Sequence, residues 1–213
     1  MGHMMNGKWV DDDRISADQR GAFVRADSQF RSWITADGGA GSSGSSGFKA
    51  EPGRYHLFVS YNCPWAHRTI ITRKLKQLEG VVSMSLADQP KTAGWAYSEA
   101  IDDFRPEGDG VFRLHQVYAA ADANYTGKVT VPTLWDRERR TIVNNESSEI
   151  IRIFNSGFRA HTDVSYDFYP EDLRGEIDRV NDFVYSHFNN GVYRAGFARS
   201  QEAYDEEIGR AHV

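Results

Sequence analysis

The spacing of apolar residues changes period along the chain, and the changes mark out elements. His56-Leu57-Phe58-Val59-Ser60 is a short apolar run that predicts a strand at 55–60. Behind it Ile70, Ile71, Leu75 and Leu78 fall at helical spacing, predicting a helix over about 65–79. Residues 81–86 read as a second strand, parallel to the first because a helix makes the crossover. Residues 87–127 show no sustained period and are read as irregular. Two apolar runs at 128–136 and 141–143 flank the charged turn Arg137-Glu138-Arg139-Arg140, which predicts an antiparallel hairpin. Asn145-Glu146-Ser147-Ser148 supplies helix caps, and Ile150, Ile151 and Phe154 mark one face of the helix that follows.

The flanks are less regular. Residues 1–36 are polar with scattered aromatics, Trp9, Phe23, Phe30 and Trp33, and read as an arm anchored by those rings. Residues 37–47 are a flexible Gly/Ser loop by composition. After an aromatic and polar connector at 155–169, Pro170-Glu171-Asp172 opens a helix with Leu173, Ile177, Val180, Val184 and Phe188 on one face. Asn189-Asn190-Gly191 is expected to end it, with 192–197 as a turn and Ser200 starting a further helix. Glu207-Ile208-Gly209-Arg210-Ala211-His212-Val213 is expected to break the helical pattern, and reads like translated adapter sequence at the end of a C-terminally truncated chain. The expected domains are therefore an arm and loop at 1–52, an α/β domain at 53–156, and a connector with the first helices of an all-α domain at 157–213.

Composition narrows the class. Hydrophobic residues make up 40% of the 213 and charged ones 26%, ordinary values for a globular protein. A net charge of -5 argues against nucleic acid as the main partner. A single cysteine rules out an intrachain disulfide framework, and no stretch approaches a signal peptide or a membrane span. A cytoplasmic setting, with no membrane partner, is the expectation. No grouping of His, Cys, Asp and Glu has metal-ligand spacing.

That one cysteine, Cys63, falls at the strand-to-helix turn and is followed by Pro64. Proline suits the first helical position because its missing N–H would have no intrahelical partner. Cys63 is then the N-cap or its neighbour, facing unpaired backbone N–H groups that favour thiolate over thiol. The alternative is a small buried hydrophobe. Ala66 occupies the place of a second cysteine in Cys-x-x-Cys, so any adduct on Cys63 needs an external thiol to resolve it. The order of elements is that of a thioredoxin-like domain. In such a domain the residue before a cis proline offers its backbone to an extended ligand, so Val131-Pro132 is expected to be cis.

Several separate stretches carry a family resemblance: Cys63-Pro64-Trp65-Ala66-His67-Arg68, the preceding 53–57, 130–134 with 144–148, and Asn190-Gly191-Val192-Tyr193-Arg194. Over residues 23–206 the chain resembles the glutathionyl-hydroquinone reductases, the Xi class of the glutathione transferases. The resemblance implies a thioredoxin-like N-terminal domain, a helical C-terminal domain, a homodimer, and glutathione as co-substrate. It places the nucleophile on Cys63 and a proton-transferring tyrosine on Tyr193. Glutathione contacts fall on Trp95, on Lys128, Val129, Thr130 and Val131, and on Glu146 and Ser147. Lys128 stands where relatives are expected to carry arginine, keeping the charge without the planar fork. The family's later tyrosines would lie beyond this chain's end.

The implied reaction is reduction of a glutathionyl-hydroquinone through a Cys63–glutathione mixed disulfide. Each residue also has a plainer role: packing for Tyr193, capping for Glu146 and Ser147, a loop anchor for Trp95, a solvated charge for Lys128. A general glutathione-dependent thioltransferase, a dehydroascorbate reductase and a non-catalytic transferase-fold scaffold remain as alternative readings.

Overall fold

The computed structural model describes residues 2–12, 16–42, 47–88 and 93–208. The centre of the Gly/Ser loop at 43–46 and the tail at 209–213 lie outside the described residues. The chain forms two compact units, one from residues 1–13 and 28–167, the other from 14–27 and 168–213. The stretch expected as a single arm is thus divided between them.

In the first unit β1 (His3–Met5) and β2 (Lys8–Val10) form a small hairpin, and β3 (Trp33–Thr35) pairs in parallel with β4 (Gly47–Lys49). The central elements follow: β5 (Tyr55–Val59), α1 (Pro64–Leu75), β6 (Val82–Leu86), β7 (Ala96–Tyr97), β8 (Phe112–Arg113), α2 (Leu114–Ala121), β9 (Thr133–Asp136), β10 (Thr141–Asn144) and α3 (Ser147–Ser156). The main sheet has the order β10-β9-β5-β6. β5 runs parallel to β6 and antiparallel to β9, with Leu57 opposite both Met84 and Leu134. This mixed sheet, with its β-α-β start and closing hairpin, is the thioredoxin-like arrangement expected from the pattern.

All five residues of β5 are buried, so the strand is covered on both faces. Side chains alternate across a strand, and the contacts follow that rule. Tyr55 meets Phe158 at a ring distance of 5.8 Å, on the side of the segment after α3. On the opposite face Phe58 packs edge-on against Tyr97 and Phe112, and Trp135 against Phe104. α1 and α3 pack on one another, and Ala66 and Thr69 are the buried residues of α1. α1 ends at Leu75, earlier than its apolar spacing predicts. Gln77 takes φ 52° there, and the N–H of Leu78 returns to the Arg73 carbonyl at 3.0 Å.

α2 corrects the reading of 87–127 as irregular. Leu114, Val117 and Tyr118 are buried at positions i, i+3 and i+4, and the Gln116 side chain accepts from the Arg113 N–H at 2.7 Å as a cap. The helix is short, and three surrounding alanines dilute its apolar stripe.

The second unit is helical. After a 3₁₀ turn at Glu171–Leu173 come α4 (Arg174–Val184), a π turn at Tyr185–Asn189, α5 (Asn190–Gly196) and α6 (Gln201–Ile208). Three expectations fail here. Asn189-Asn190-Gly191 does not end the helix, and Tyr193 sits on α5 rather than in a turn. The π turn absorbs the irregularity, α5 packs on α6, and Asn190 Oδ1 accepts from Arg25 Nε at 2.8 Å; these tertiary contacts outweigh the poor helix propensity of Asn and Gly. Nor does the helical pattern break at Glu207. That residue is 8% exposed within α6 and pairs with Arg194 Nε at 2.8 Å. Ser200 caps α6 as expected, its Oγ accepting from the Ala203 N–H at 3.2 Å.

Candidate functional site

Cys63 is the N-cap of α1, with extended backbone (φ -107°, ψ 110°), and Pro64 follows at the first helical position. Its carbonyl accepts the first helical bond, from the His67 N–H at 2.9 Å. The side chain makes no cap bond to its own helix, which leaves Sγ directed elsewhere. It reaches the Val131 carbonyl at 3.3 Å. The Val131-Pro132 bond is cis, as expected. The sulfur therefore lies beside the backbone of the residue before a cis proline, and is partly accessible.

Lys128, Val129, Thr130 and Val131 form one stretch leading into that proline. Its preceding residues are fastened by the β1–β2 hairpin: Met4 and Gly127 exchange backbone hydrogen bonds at 2.8 and 3.0 Å, and the Gly7 N–H donates to the Tyr125 carbonyl at 3.0 Å. Thr130 is held from beneath. Its carbonyl accepts from Thr133 Oγ1 at 2.7 Å and from the Tyr118 hydroxyl at 3.2 Å. Lys128 and Val129 are partly exposed beside it, and Thr130 is exposed.

Glu146 and Ser147 stand at the start of α3. Glu146 is the N-cap, its Oε1 accepting from the Ser148 N–H at 3.1 Å, so the capping role is real. The same carboxylate takes a hydrogen bond from Ser28 Oγ at 3.1 Å and lies 3.6 Å from Arg68 Nη2. Ser147 Oγ accepts from Arg68 Nε and Nη2 at 3.0 and 2.6 Å. Arg68, one turn beyond the cysteine on α1 and resting on the Trp65 ring at 5.1 Å, thus joins the helix that carries the thiol to the helix start that carries the acid. The sequence by itself assigns Arg68 no role. Its signal was spacing alone, since i+5 from Cys63 does not announce a partner some 79 residues away.

Trp95 is partly buried against the core, and its carbonyl accepts from the Leu114 N–H at 2.9 Å at the start of α2. Nearby Tyr97 is buried with its ring stacked on Phe112. Burial pushes its phenol well above the usual tyrosine range, and the charges it senses at Tyr118, Asp88 and Cys63 act in the same direction. His67, which follows in the Cys63 helix, is exposed.

Tyr193 belongs to the helical unit. The Arg25 guanidinium lies 4.3 Å from its ring centre, and Phe23 stacks on it at 6.4 Å. Among the described residues no helix is long and apolar enough to cross a membrane, and no group of His, Cys, Asp and Glu could hold a metal ion.

A thioredoxin-like sheet, a cysteine capping the first helix, a cis proline and an acidic start to the last helix define a glutathione-transferase N-terminal domain. The glutathione S-transferase N-terminal domain family matches residues 62–156. The chain is 47% identical over 214 residues to the glutathionyl-hydroquinone reductase YqjG of Escherichia coli, covering 99% of this chain and 65% of that protein. It is also 47% identical to the glutathionyl-hydroquinone reductase PcpF of Sphingobium chlorophenolicum, over 97% of this chain and 63% of that one. The glutathione-bound structure of the Escherichia coli protein superposes with a TM-score of 0.81 at 44% identity, covering 98% of this chain and 63% of the other. The Xi glutathione transferase of Phanerochaete chrysosporium gives 0.80 at 40% identity, over 92% and 62%. The chain belongs to the Xi class of the glutathione transferases. It spans just under two thirds of the length of these relatives.

Proposed function

We propose that this chain reduces glutathionyl-hydroquinones to hydroquinones with glutathione as co-substrate. The observation that carries the reading is Cys63 at the N-cap of α1 with its Sγ turned to the carbonyl of Val131, 3.3 Å away and just before a cis proline. An extended peptide with a central sulfur, such as glutathione, fits that geometry: its backbone pairs with Val131 while its sulfur meets Cys63. Lys128 supplies a positive charge for the glycyl carboxylate. Glu146, Ser147 and the first N–H groups of α3 receive the γ-glutamyl end, the acid taking the ammonium and the helix start its carboxylate. Trp95 and the backbone of Val129 and Thr130 complete the contacts.

Two steps follow. Cys63 thiolate attacks the glutathionyl sulfur of the conjugate, forming an S–S bond as the C–S bond to the ring breaks. The ring carbon leaves with the electron pair and takes a proton, for which Tyr193 is the proposed donor. The aromatic fragment is reduced and the two sulfurs are oxidised to a disulfide. A second glutathione thiolate then attacks the glutathione sulfur of the mixed disulfide, releasing oxidised glutathione and Cys63 thiolate. No second protein thiol is needed, in keeping with Ala66 at the fourth position of the motif. A homodimer in the cytoplasm, acting on small molecules without nucleic acid or membrane, is part of the same proposal.

The test is turnover of a synthetic glutathionyl-hydroquinone with glutathione, following free hydroquinone and oxidised glutathione together. Equal amounts of both, absent in Cys63→Ser, are expected. Turnover of a glutathione mixed disulfide or of dehydroascorbate without release of hydroquinone would overturn this reading and establish the thioltransferase one, which the absence of a resolving cysteine also accommodates.

A further inference from the structure

Both halves of the proposed glutathione cradle meet at one buried hydroxyl. Tyr118, on α2, is fully buried, and its hydroxyl lies 3.2 Å from the Thr130 carbonyl, 3.2 Å from Thr133 Oγ1 and 3.4 Å from the Thr130 N–H. On its other side Asn145 Nδ2 donates to it at 3.0 Å. Thr130 and Thr133 bracket Val131-Pro132, and Asn145 immediately precedes Glu146 and Ser147. The carboxamide oxygen of Asn145 is also engaged, accepting from the Phe30 N–H at 3.2 Å.

A phenol has one proton to give and two lone pairs to fill. Thr133 spends its own hydroxyl proton on the Thr130 carbonyl at 2.7 Å, so it can only accept from Tyr118. The Tyr118 proton therefore goes to the Thr130 carbonyl, to Thr130 Oγ1 at 3.4 Å or to Thr133 Oγ1, while Asn145 and the Thr130 N–H fill the acceptor sites. Thr133 and Asn145 are each fixed by a further bond, to the Thr130 carbonyl and from the Phe30 N–H, so the hydroxyl sets the spacing between the loop and the helix start.

We propose that Tyr118 is a positioning residue for glutathione, holding the Val131 backbone and the Glu146-Ser147 helix start in register so that one tripeptide can engage both. This rests on the glutathione reading above. It assigns Tyr118 no contact with the ligand. The ring is held independently, edge-on to Phe30 at 5.8 Å and against Tyr125 at 5.0 Å, so Tyr118→Phe removes the hydroxyl while keeping the packing.

The experiment measures the dissociation constant for glutathione by calorimetry, and in parallel the rate at which Cys63 is alkylated by iodoacetamide, for wild type, Tyr118→Phe, Asn145→Asp and the double variant. Tyr118→Phe should weaken glutathione binding about tenfold while alkylation changes less than about twofold. Asn145→Asp, which keeps the acceptor for Phe30 but loses the donor to Tyr118, should also weaken binding, and the double variant should lose less than the product of the two. Should Tyr118→Phe fail to fold, Asn145→Asp and Thr133→Val read the same link from its two ends. Unaltered affinity in folded variants would overturn the inference, as would strictly multiplicative losses. A wild type that binds no glutathione would overturn the site reading itself, and this inference with it.

Discussion

The two units bury the faces that their sequences mark out to very different degrees. In the sheet unit every residue of β5 is buried, and an aromatic layer of Phe58, Tyr97, Phe112, Phe104 and Trp135 closes over it. In the helical unit α4 has no buried residue, and Leu173, Phe183 and Phe188 are 51%, 62% and 70% exposed. Both stretches have a regular apolar period, so the pattern decides which face a helix or strand would bury but not whether a partner is there to bury it. The proposed chemistry divides along the same line. Cys63 and the Val131 backbone are set by a packed core, whereas Tyr193 meets the Arg25 guanidinium and the Phe23 and Phe197 rings, Arg25 being held in turn by Asn190.

Four experiments test this contrast. The largest effect is chemical. Cys63→Ser should lower hydroquinone release by at least about a thousandfold with no change in unfolding midpoint, because the side chain makes no cap bond that the fold relies on. An equal loss of stability would show the thiol to be a core group instead.

Truncating one ring in each unit comes next. Phe58→Ala, at a site of no exposure, should cost about 3–5 kcal/mol in urea unfolding, and Phe188→Ala less than about 0.5 kcal/mol. Comparable costs would erase the distinction between the units.

Acid should act on the sheet unit through His56, whose ring is buried with Nδ1 2.8 Å from Ser83 Oγ. Burial first, then the charges of Arg137 and Arg73, hold its pKa down to about 3 from 6.5. Between those values the unfolded chain binds a proton that the folded chain refuses. The stability tied to neutral His56 is therefore full above pH 6.5 and is lost as pH falls toward 3. Urea midpoints should decline from pH 7 to pH 4 in wild type and decline less in His56→Gln. Parallel curves would place the acid sensitivity elsewhere.

The smallest effect belongs to the helical unit. Arg25→Gln removes the cation over the Tyr193 ring and the bond to Asn190, and should speed amide exchange in α5 by about fivefold, leaving β5 unchanged.

Local chemistry made part of this molecule legible. Cys63-Pro64 between an apolar run and a helical period names its own strand-to-helix turn, and Val131-Pro132 before a hairpin marks the cis bond. Contacts that join distant stretches left no such trace. Nothing near Arg68 announces Ser147, and nothing near Tyr118 announces Asn145, since each pair meets only once the sheet has formed. Residues 114–121 held the i, i+3, i+4 spacing of Leu114, Val117 and Tyr118, yet the run was too short to stand out from an irregular neighbourhood. At Asn189-Asn190-Gly191 the local signal was strong and misleading. A π turn and the grip of Arg25 on Asn190 carried the helix through it.

In the proposed reaction Cys63 accepts glutathione from a glutathionyl-hydroquinone. The most direct measurement of this step is the intact mass of the protein after exposure to such a conjugate without free glutathione, beside Cys63→Ser. A single glutathione adduct is expected on the wild type alone, with one equivalent of free hydroquinone in solution. An unmodified mass on folded wild-type protein would contradict it.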